Sequence, residues 1–493
     1  MVEVPHSPIL TAMFRHAADT PEKTAVVTTD GLEISYSDLQ RNVLRGAEWL
    51  SKQGVSFGDR IMISAEKEVK FIYLYLAAHL IGAVNVVVGP DDNATHLKCI
   101  ADITGPVLFI GLETAGVNKI HYQEINLSVR KETCGNIPAC CKVCHDGIYP
   151  DTTADIMFTS GTTGKPKGVI LTHANISASA ENINSFIGNG AGDVELLGLP
   201  LCHSFGLGRL RCCLLSGATV ILHNGFANLK SVFNAFEKYG VTGFGMVPSV
   251  WAYIKRFSGD RIARYAPQMK YIEIGSAPLP YDDKQLLSEL FPTTRICMHY
   301  GLTEASRAAF MELHEDKEHL ESVGKSVSRK VDIRISGEDG REIARGEKGE
   351  ICIKGNMVTP GYLDSAQTEE AFYGSYLRTG DSGYLNEEGY LYLTGRLKEI
   401  INVGGKKVSP LEIEEAVRRI SGAEAVCMGV SDPDGILGEV PRLLILRDSL
   451  RMDIDELKSR LREKIETYKY PRFFETVDTL PLTATGKNKR RIK

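Results

Sequence analysis

The sequence has no surplus of positive charge: 57 Lys and Arg stand against 62 Asp and Glu, a formal net charge of −5. A nucleic-acid binder is expected to show a basic face. The one basic cluster, Lys487-Asn-Lys-Arg-Arg491, is too short to supply it, so no nucleic-acid partner is expected. The N-terminus MVEVPHSPIL lacks the basic region and apolar core of a signal peptide. Long apolar runs are also scarce. Only Phe71 to Val88 approaches the length of a membrane span, and His79, Gly82 and Asn85 interrupt it. A buried helix over 71–81, ending at Gly82 and followed by a buried strand over 83–88, suits it better. The expectation is a soluble, cytoplasmic chain without a membrane span. The 11 cysteines are scattered, as reduced thiols of a cytosolic protein would be. Cys134, Cys140, Cys141 and Cys144 do cluster beside His145, and Cys141-Lys-Val-Cys144 has metal-ligand spacing. No second C-x-x-C pairs with it, so an incidental thiol cluster in a loop is the plain reading and a zinc site the alternative. Internal repeats and low-complexity segments are absent.

What is present centres on Ile156 to Thr172, IMFTSGTTGKPKGVILT. Two apolar runs, 156–158 and 169–171, predict strands, and the Gly, Ser, Thr and Lys between them predict an exposed hairpin loop. Gly161, Gly164 and Gly168 permit close backbone approach, Thr159, Ser160, Thr162 and Thr163 offer hydroxyls, and Lys165 and Lys167 offer charge. Successive backbone N–H groups in such a loop make a concavity suited to a polyphosphate. The loop is not a Walker A motif. Gly161 and Gly164 are too close together, and Pro166 follows Lys165 where Ser or Thr should stand.

With 43% hydrophobic and 24% charged residues, the 493-residue chain has room for two or more domains. Helix-like and strand-like runs alternate through the N-terminal third and again after the Gly-rich loop, which implies layered α/β subdomains. Between about 331 and 362 short alternating runs divided by Gly suggest an antiparallel, barrel-like piece. From Ile400 the order is strand, Gly404-Gly405 turn, a helix over 411–419, strands, a helix over 454–468 and a last short strand. That is the size of a small α+β domain. The expected fold is therefore α/β. A large N-terminal domain (1–395) with layered α/β subdomains and the barrel-like piece joins, through a hinge at 396–398, a small mobile α+β C-terminal domain (399–493).

Several further motifs occur in order: Pro200-Leu-Cys-His203, Gly275-Ser276-Ala277-Pro278, Tyr300-Gly301-Leu-Thr303-Glu304, Thr379-Gly-Asp381, Gly395-Arg396 and Thr485-Gly-Lys487. Together with Thr159–Gly168 they resemble the signatures of the adenylate-forming (AMP-binding) superfamily, in particular its acyl- and aryl-CoA synthetases, over essentially the whole chain. The resemblance implies an AMP-forming acid–thiol ligase. A carboxylic acid attacks the α-phosphorus of ATP, giving an acyl adenylate and pyrophosphate, and a thiol then takes the acyl group and expels AMP. Such chemistry needs no protein nucleophile and rests on positioning and charge stabilisation. The implied cofactors are ATP, Mg²⁺ and coenzyme A. The phosphopantetheine arm of a separate acyl carrier protein is the alternative acceptor, and a catalytically silent nucleotide-binding protein the third reading.

By resemblance, the loop from Thr159 to Lys167 grips the β- and γ-phosphates, Thr303 holds a phosphate oxygen, and Glu304 binds Mg²⁺. Gly275 to Pro278 form the adenine wall beside Tyr300 and Gly301, Asp381 accepts from the ribose hydroxyls, and Arg396 reaches the nucleotide. Lys487 neutralises charge between the carboxylate and the α-phosphate in the first half-reaction. Lys398 is the hinge residue, and Gly404 and Gly405 line a thiol tunnel. His203 and Phe205 resemble the gate and wall of the acyl pocket, a buried structural His203 being the other reading. Gly206 stands where amino-acid-adenylating relatives carry an Asp, which counts against an amino-acid substrate. Arg209 and Arg211 are expected to pair with local acids. Arg307 either does the same or contacts a polar or second carboxylate group of the substrate, because a buried Arg is costly unless paired.

Overall fold

The computed structural model describes residues 7–111, 119–125, 127, 148–160, 166–482 and 490. The chain divides into two compact units: Met1–Asp332 with Ile353–Leu377, and Ile333–Cys352 with Arg378–Lys493.

Two sheets organise the first unit. In the nine-stranded sheet the spatial order is Lys325–Ser326, Ala305–Glu312, Arg295–Leu302, Tyr271–Ile274, Gly243–Met246, Val194–Leu197, Thr219–Leu222, Thr24–Val27 and Glu33–Ser35. From Arg295–Leu302 to Thr24–Val27 every pairing is parallel, and antiparallel strands close both sides. A parallel sheet needs crossovers on its faces. Helices such as Ser204–Ser216 and Leu229–Tyr239 supply them. The seven-stranded sheet runs Gly361–Tyr362, Pro166–Thr172, Thr153–Ser160, Val84–Val88, Arg60–Ser64, Leu108–Ile110 and Lys119–Ile120.

The expected hairpin is present. Thr153–Ser160 and Pro166–Thr172 pair antiparallel, with Phe158 opposite Gly168 and Ser160 opposite Pro166. The tip, Gly161 to Lys165, lies outside the described residues. The apolar run after residue 68 forms the helix Val69–Ile81, buried at every position but Lys70, then the buried strand Val84–Val88. Gly82 ends the helix in the left-handed region at φ 73°. A helix this uniformly apolar belongs in a core rather than at a surface. Among the described residues no helix is long and apolar enough to cross a membrane.

The second unit holds Ile401–Val403 paired antiparallel with Lys406–Val408, the helix Pro410–Ser421, and a sheet ordered Ala425–Ser431, Glu439–Leu446, Phe473–Val477. Its core gathers Val408, Ile413, Val417, Cys427, Leu443 and Leu457. The last helix is shorter than its sequence predicts. It spans Ile454–Lys464, Ile465 turns extended, and Thr467–Lys469 forms a separate 3₁₀ turn. That break lets Ile465, Tyr468 and Tyr470 all pack on the same core. A second correction concerns the barrel-like piece. Its strands Val331–Ser336 and Gly349–Gly355 form as expected, but Gly361–Tyr362 belongs to the edge of the seven-stranded sheet, with Gly361 opposite Ile170 and Tyr362 opposite Val169.

Candidate active site

The edge strand Gly361–Tyr362 joins two motifs that lie far apart in sequence. Tyr362 pairs with Val169 on the return strand of the hairpin, and its hydroxyl donates to Glu304 Oε1 at 2.8 Å. The Lys167 ammonium lies 5.1 Å from the centre of the same ring. Thr359 N donates to the Glu304 carbonyl at 2.8 Å, and Ala305 bridges Val358, so the backbone fixes the segment as well. Burial and the neighbouring Glu304 carboxylate push the Tyr362 phenol well above its usual range, so it stays protonated and donates. Sequence reasoning passed over Tyr362. Its signal was the Gly361-Tyr362 pair within reach of the hairpin, but the pairing partner is set only by the sheet.

Glu304 is 8% exposed and, among the described residues, receives no ion pair. A buried carboxylate without a cation is costly. One carboxylate combined with phosphate oxygens is the usual protein share of a Mg²⁺ site, so the residue fits that ion. Among the described residues no group of three or more His, Cys, Asp or Glu side chains could hold a metal by itself. Cys134, Cys140, Cys141 and Cys144 lie outside the described residues.

Thr303 stands at the turn between Arg295–Leu302 and Ala305–Glu312, whose register shifts between Tyr300 and Leu302. Gly275 follows the strand Tyr271–Ile274, and Ser276 takes a left-handed φ of 72°, which puts Ser276 and Pro278 at the surface. A Cβ at Gly275 would come within 2.1 Å of the His299 ring, so only glycine fits there.

Of the residues expected at the acyl pocket, His203 is exposed at the N-cap of the helix Ser204–Ser216, which excludes a buried structural histidine. Phe205 and Gly206 are buried in the helix's first turn. Arg307 is 2% exposed and largely committed. Its Nε donates to Glu273 at 3.1 Å, Nη1 to the Ser204 carbonyl at 2.9 Å and Ser306 Oγ at 3.0 Å, and Nη2 to the Phe205 carbonyl at 3.1 Å. Of the two roles its sequence allowed, the geometry is that of structural pairing. Its own φ is left-handed, 56°.

Arg209 and Arg211, two positions apart on the same helix, enter separate buried networks. Arg209 Nε donates to Glu195 at 2.8 Å, Nη2 reaches Glu195 and Tyr271, and Nη1 lies 3.3 Å from Glu273. Arg211 pairs with Asp155, which also takes hydrogen bonds from Tyr75 and lies 2.9 Å from His79 Nε2. Burial acts to raise the Glu273 carboxyl, but Arg307, His299 and Arg209 outweigh it and hold it well below the usual range. Burial likewise opposes Asp155, which Arg211 and His79 nevertheless bring down to about 2. Both acids are thus charged and matched by arginines, the condition under which buried ions are tolerated.

Asp381, Arg396, Lys398, Gly404 and Gly405 belong to the second unit. Asp381 lies opposite Arg396 in the pair Tyr376–Leu385 and Leu391–Arg396, with Arg396 Nε 2.9 Å from Asp381 Oδ1. Lys398 is exposed in the 3₁₀ turn Leu397–Glu399, and Gly404 and Gly405 form the exposed tip of the hairpin beyond it. Arg490, which reads as part of a solvated tail in the sequence, is held by Glu414 at 2.8 Å and Glu399 at 3.1 Å. Two carboxylates flank its guanidinium, which explains why it leaves solvent. Lys487 lies outside the described residues.

Comparison with known proteins places this geometry in context. The sequence pattern of the AMP-binding enzyme family matches residues 13–363, and that of the AMP-binding enzyme C-terminal domain matches 412–487. Feruloyl-CoA synthase of Amycolatopsis sp is 31% identical over 96% of this chain and 96% of its own length. A sulfoacetate–CoA ligase of Cupriavidus necator is 32% identical over 69% of this chain and 66% of its own. Among solved structures, o-succinylbenzoate CoA synthetase (MenE) from Bacillus subtilis, in complex with its acyl-adenylate intermediate, superimposes with a TM-score of 0.84 at 27% identity, covering 97% of this chain and 96% of that one. The same enzyme has been solved with ATP and magnesium ion. The chain belongs to the AMP-binding, adenylate-forming enzyme family, among its CoA-ligase-like members.

Proposed function

We propose that the protein activates a carboxylic acid with ATP, releasing pyrophosphate, and transfers the acyl group from the adenylate to the thiol of coenzyme A. The observation that carries the reading is the buried Glu304 carboxylate, without a cationic partner among the described residues, held by Tyr362 against the strand that returns from the Gly-rich hairpin. A divalent cation bound there supplies charge neutralisation for the ATP phosphates. Thr303 and the hairpin residues from Thr159 to Lys167 bind phosphate oxygens, and Gly275 to Pro278 present a flat, small-residue surface to adenine beside Tyr300 and Gly301. In the second unit Asp381 accepts from the ribose hydroxyls and Arg396 reaches the nucleotide. Lys487 steadies the charge that develops as the carboxylate attacks phosphorus. The segment 396–398 is the hinge about which residues 399–493 turn between half-reactions, and Gly404 and Gly405 let a pantetheine arm pass close to the backbone.

The test is ATP–pyrophosphate exchange over a panel of carboxylic acids, followed by addition of coenzyme A or a carrier protein to the productive acid. Acid-dependent exchange followed by thioester formation on coenzyme A is expected. Exchange with thioester only on a carrier protein would replace the acceptor. No exchange with any acid would overturn the ligase reading.

A further inference from the structure

Relatives named above include both a feruloyl-CoA synthase and a sulfoacetate–CoA ligase, so kinship alone does not set the size of the acid. The side chains packed over the sheet face beneath the helix Ser204–Ser216 bear on it. Gly243 and Gly245 stand two apart on one strand, and Gly275 directly follows the neighbouring strand Tyr271–Ile274, two positions beyond Glu273, which the register places opposite Gly245. These missing side chains leave a lane over the sheet that ends at Gly275, itself assigned to the adenine wall. That lane is refilled. The Tyr271 ring lies 2.1 Å from where a Gly243 Cβ would stand, the Phe205 ring 3.1 Å from that of Gly245, and the His299 ring 2.1 Å from that of Gly275. Phe205 and His299 meet edge to face with ring centres 4.7 Å apart, and Phe310 backs His299 at 5.8 Å.

His299 stands against a buried acid. Its Nδ1 lies 2.8 Å from Glu273 Oε1, and Glu273 is itself held by Arg307 and Arg209. Burial lowers the imidazole below its usual range, against the pull of Glu273. The plug therefore rests on a buried acid that Arg307 and Arg209 match in charge.

We propose that His299, closed against Phe205, ends the acyl pocket immediately beyond the nucleotide site, so that the enzyme takes compact carboxylic acids and rejects extended arylpropenoic acids. His299 is a specificity-determining residue that no sequence motif singled out. The inference rests on the ligase reading and on the assignment of Phe205 to the pocket wall.

The experiment measures kcat/KM in coupled exchange and thioester assays for acetate, propionate, malonate, benzoate, 4-coumarate and ferulate. Wild-type full-length enzyme is compared with His299→Gly and Phe205→Ala. In the wild type the best acid of about two to four carbons should exceed 4-coumarate by about 100-fold or more, the scale on which a filled pocket discriminates. His299→Gly should narrow that ratio by at least about tenfold, through a gain on 4-coumarate rather than only a loss on the small acid. Phe205→Ala should move it in the same direction and serves if the glycine variant fails to fold. A wild type that prefers ferulate or 4-coumarate overturns the proposal whatever the variants do. So does an unchanged ratio in a folded variant that still activates the small acid. Absence of exchange with every acid defeats the ligase reading itself and the pocket assignment with it.

Discussion

Replacing Arg307 by alanine separates the two roles its sequence allowed. The substitution removes the donor to Glu273 and the donors to the Ser204 and Phe205 carbonyls. Breaking a buried ion pair from one side costs about 3–5 kcal/mol. Glu273 keeps Arg209 at 3.3 Å and His299 at 2.8 Å, which argues for the lower part of that range. The two carbonyls sit in the first turn of a helix and can recover part of their loss from water entering the vacated space, so about 3 kcal/mol is the expected total. The left-handed φ of 56° is a burden that alanine shares with arginine and cancels from the difference. Urea unfolding, followed by a probe of the first unit, should show this loss, while the KM for the true acid in the still-folded enzyme stays within about twofold. An increase of about tenfold in that KM corresponds to about 1.4 kcal/mol. If it appeared with stability unchanged, Arg307 would be a substrate ligand and the structural reading refuted.

Three further outcomes are expected. Tyr362→Phe removes a hydrogen bond to a charged group, worth about 1.5–3 kcal/mol, and should raise the Mg²⁺ concentration for half-maximal exchange by about tenfold or more. An unchanged Mg²⁺ dependence would reduce Tyr362 to packing. Lys487→Ala should depress adenylation by about 100-fold or more while thioester formation from supplied acyl adenylate is largely kept, since the charge it offsets exists only in the first half-reaction; equal loss in both half-reactions would remove Lys487 from that role. Burial, reinforced by His79, lowers His173 from 6.5 to about 3, and neither ring nitrogen has a hydrogen-bond partner among the described residues. Below pH 6.5 the unfolded chain binds a proton that the folded one excludes, so stability is lost as pH falls from 6.5 toward about 3. His173→Gln should flatten that part of a melting-temperature series, and an equally steep series would place the acid sensitivity elsewhere.

The chain by itself determined the pieces that depend on neighbours in sequence. The Gly-rich segment between two apolar runs had to be a hairpin, because nothing in 161–165 can be buried while 156–158 and 169–171 must be. The apolar stretch after residue 68 had to break at Gly82, where the backbone turns left-handed. The order of short motifs carried the family and its chemistry, because each motif keeps its residues adjacent in the chain. Tertiary structure decided everything that depended on which strands lie side by side. Tyr362 meets Glu304 only because Gly361–Tyr362 pairs with the hairpin's return strand. Arg307 turned inward because Glu273 and two helix carbonyls wait there. His299 fills the lane over Gly275 because two parallel strands set their registers side by side. A sequence states which groups are available. Partners for a buried charge, and the volume left over missing side chains, are properties of distances between segments far apart in the chain.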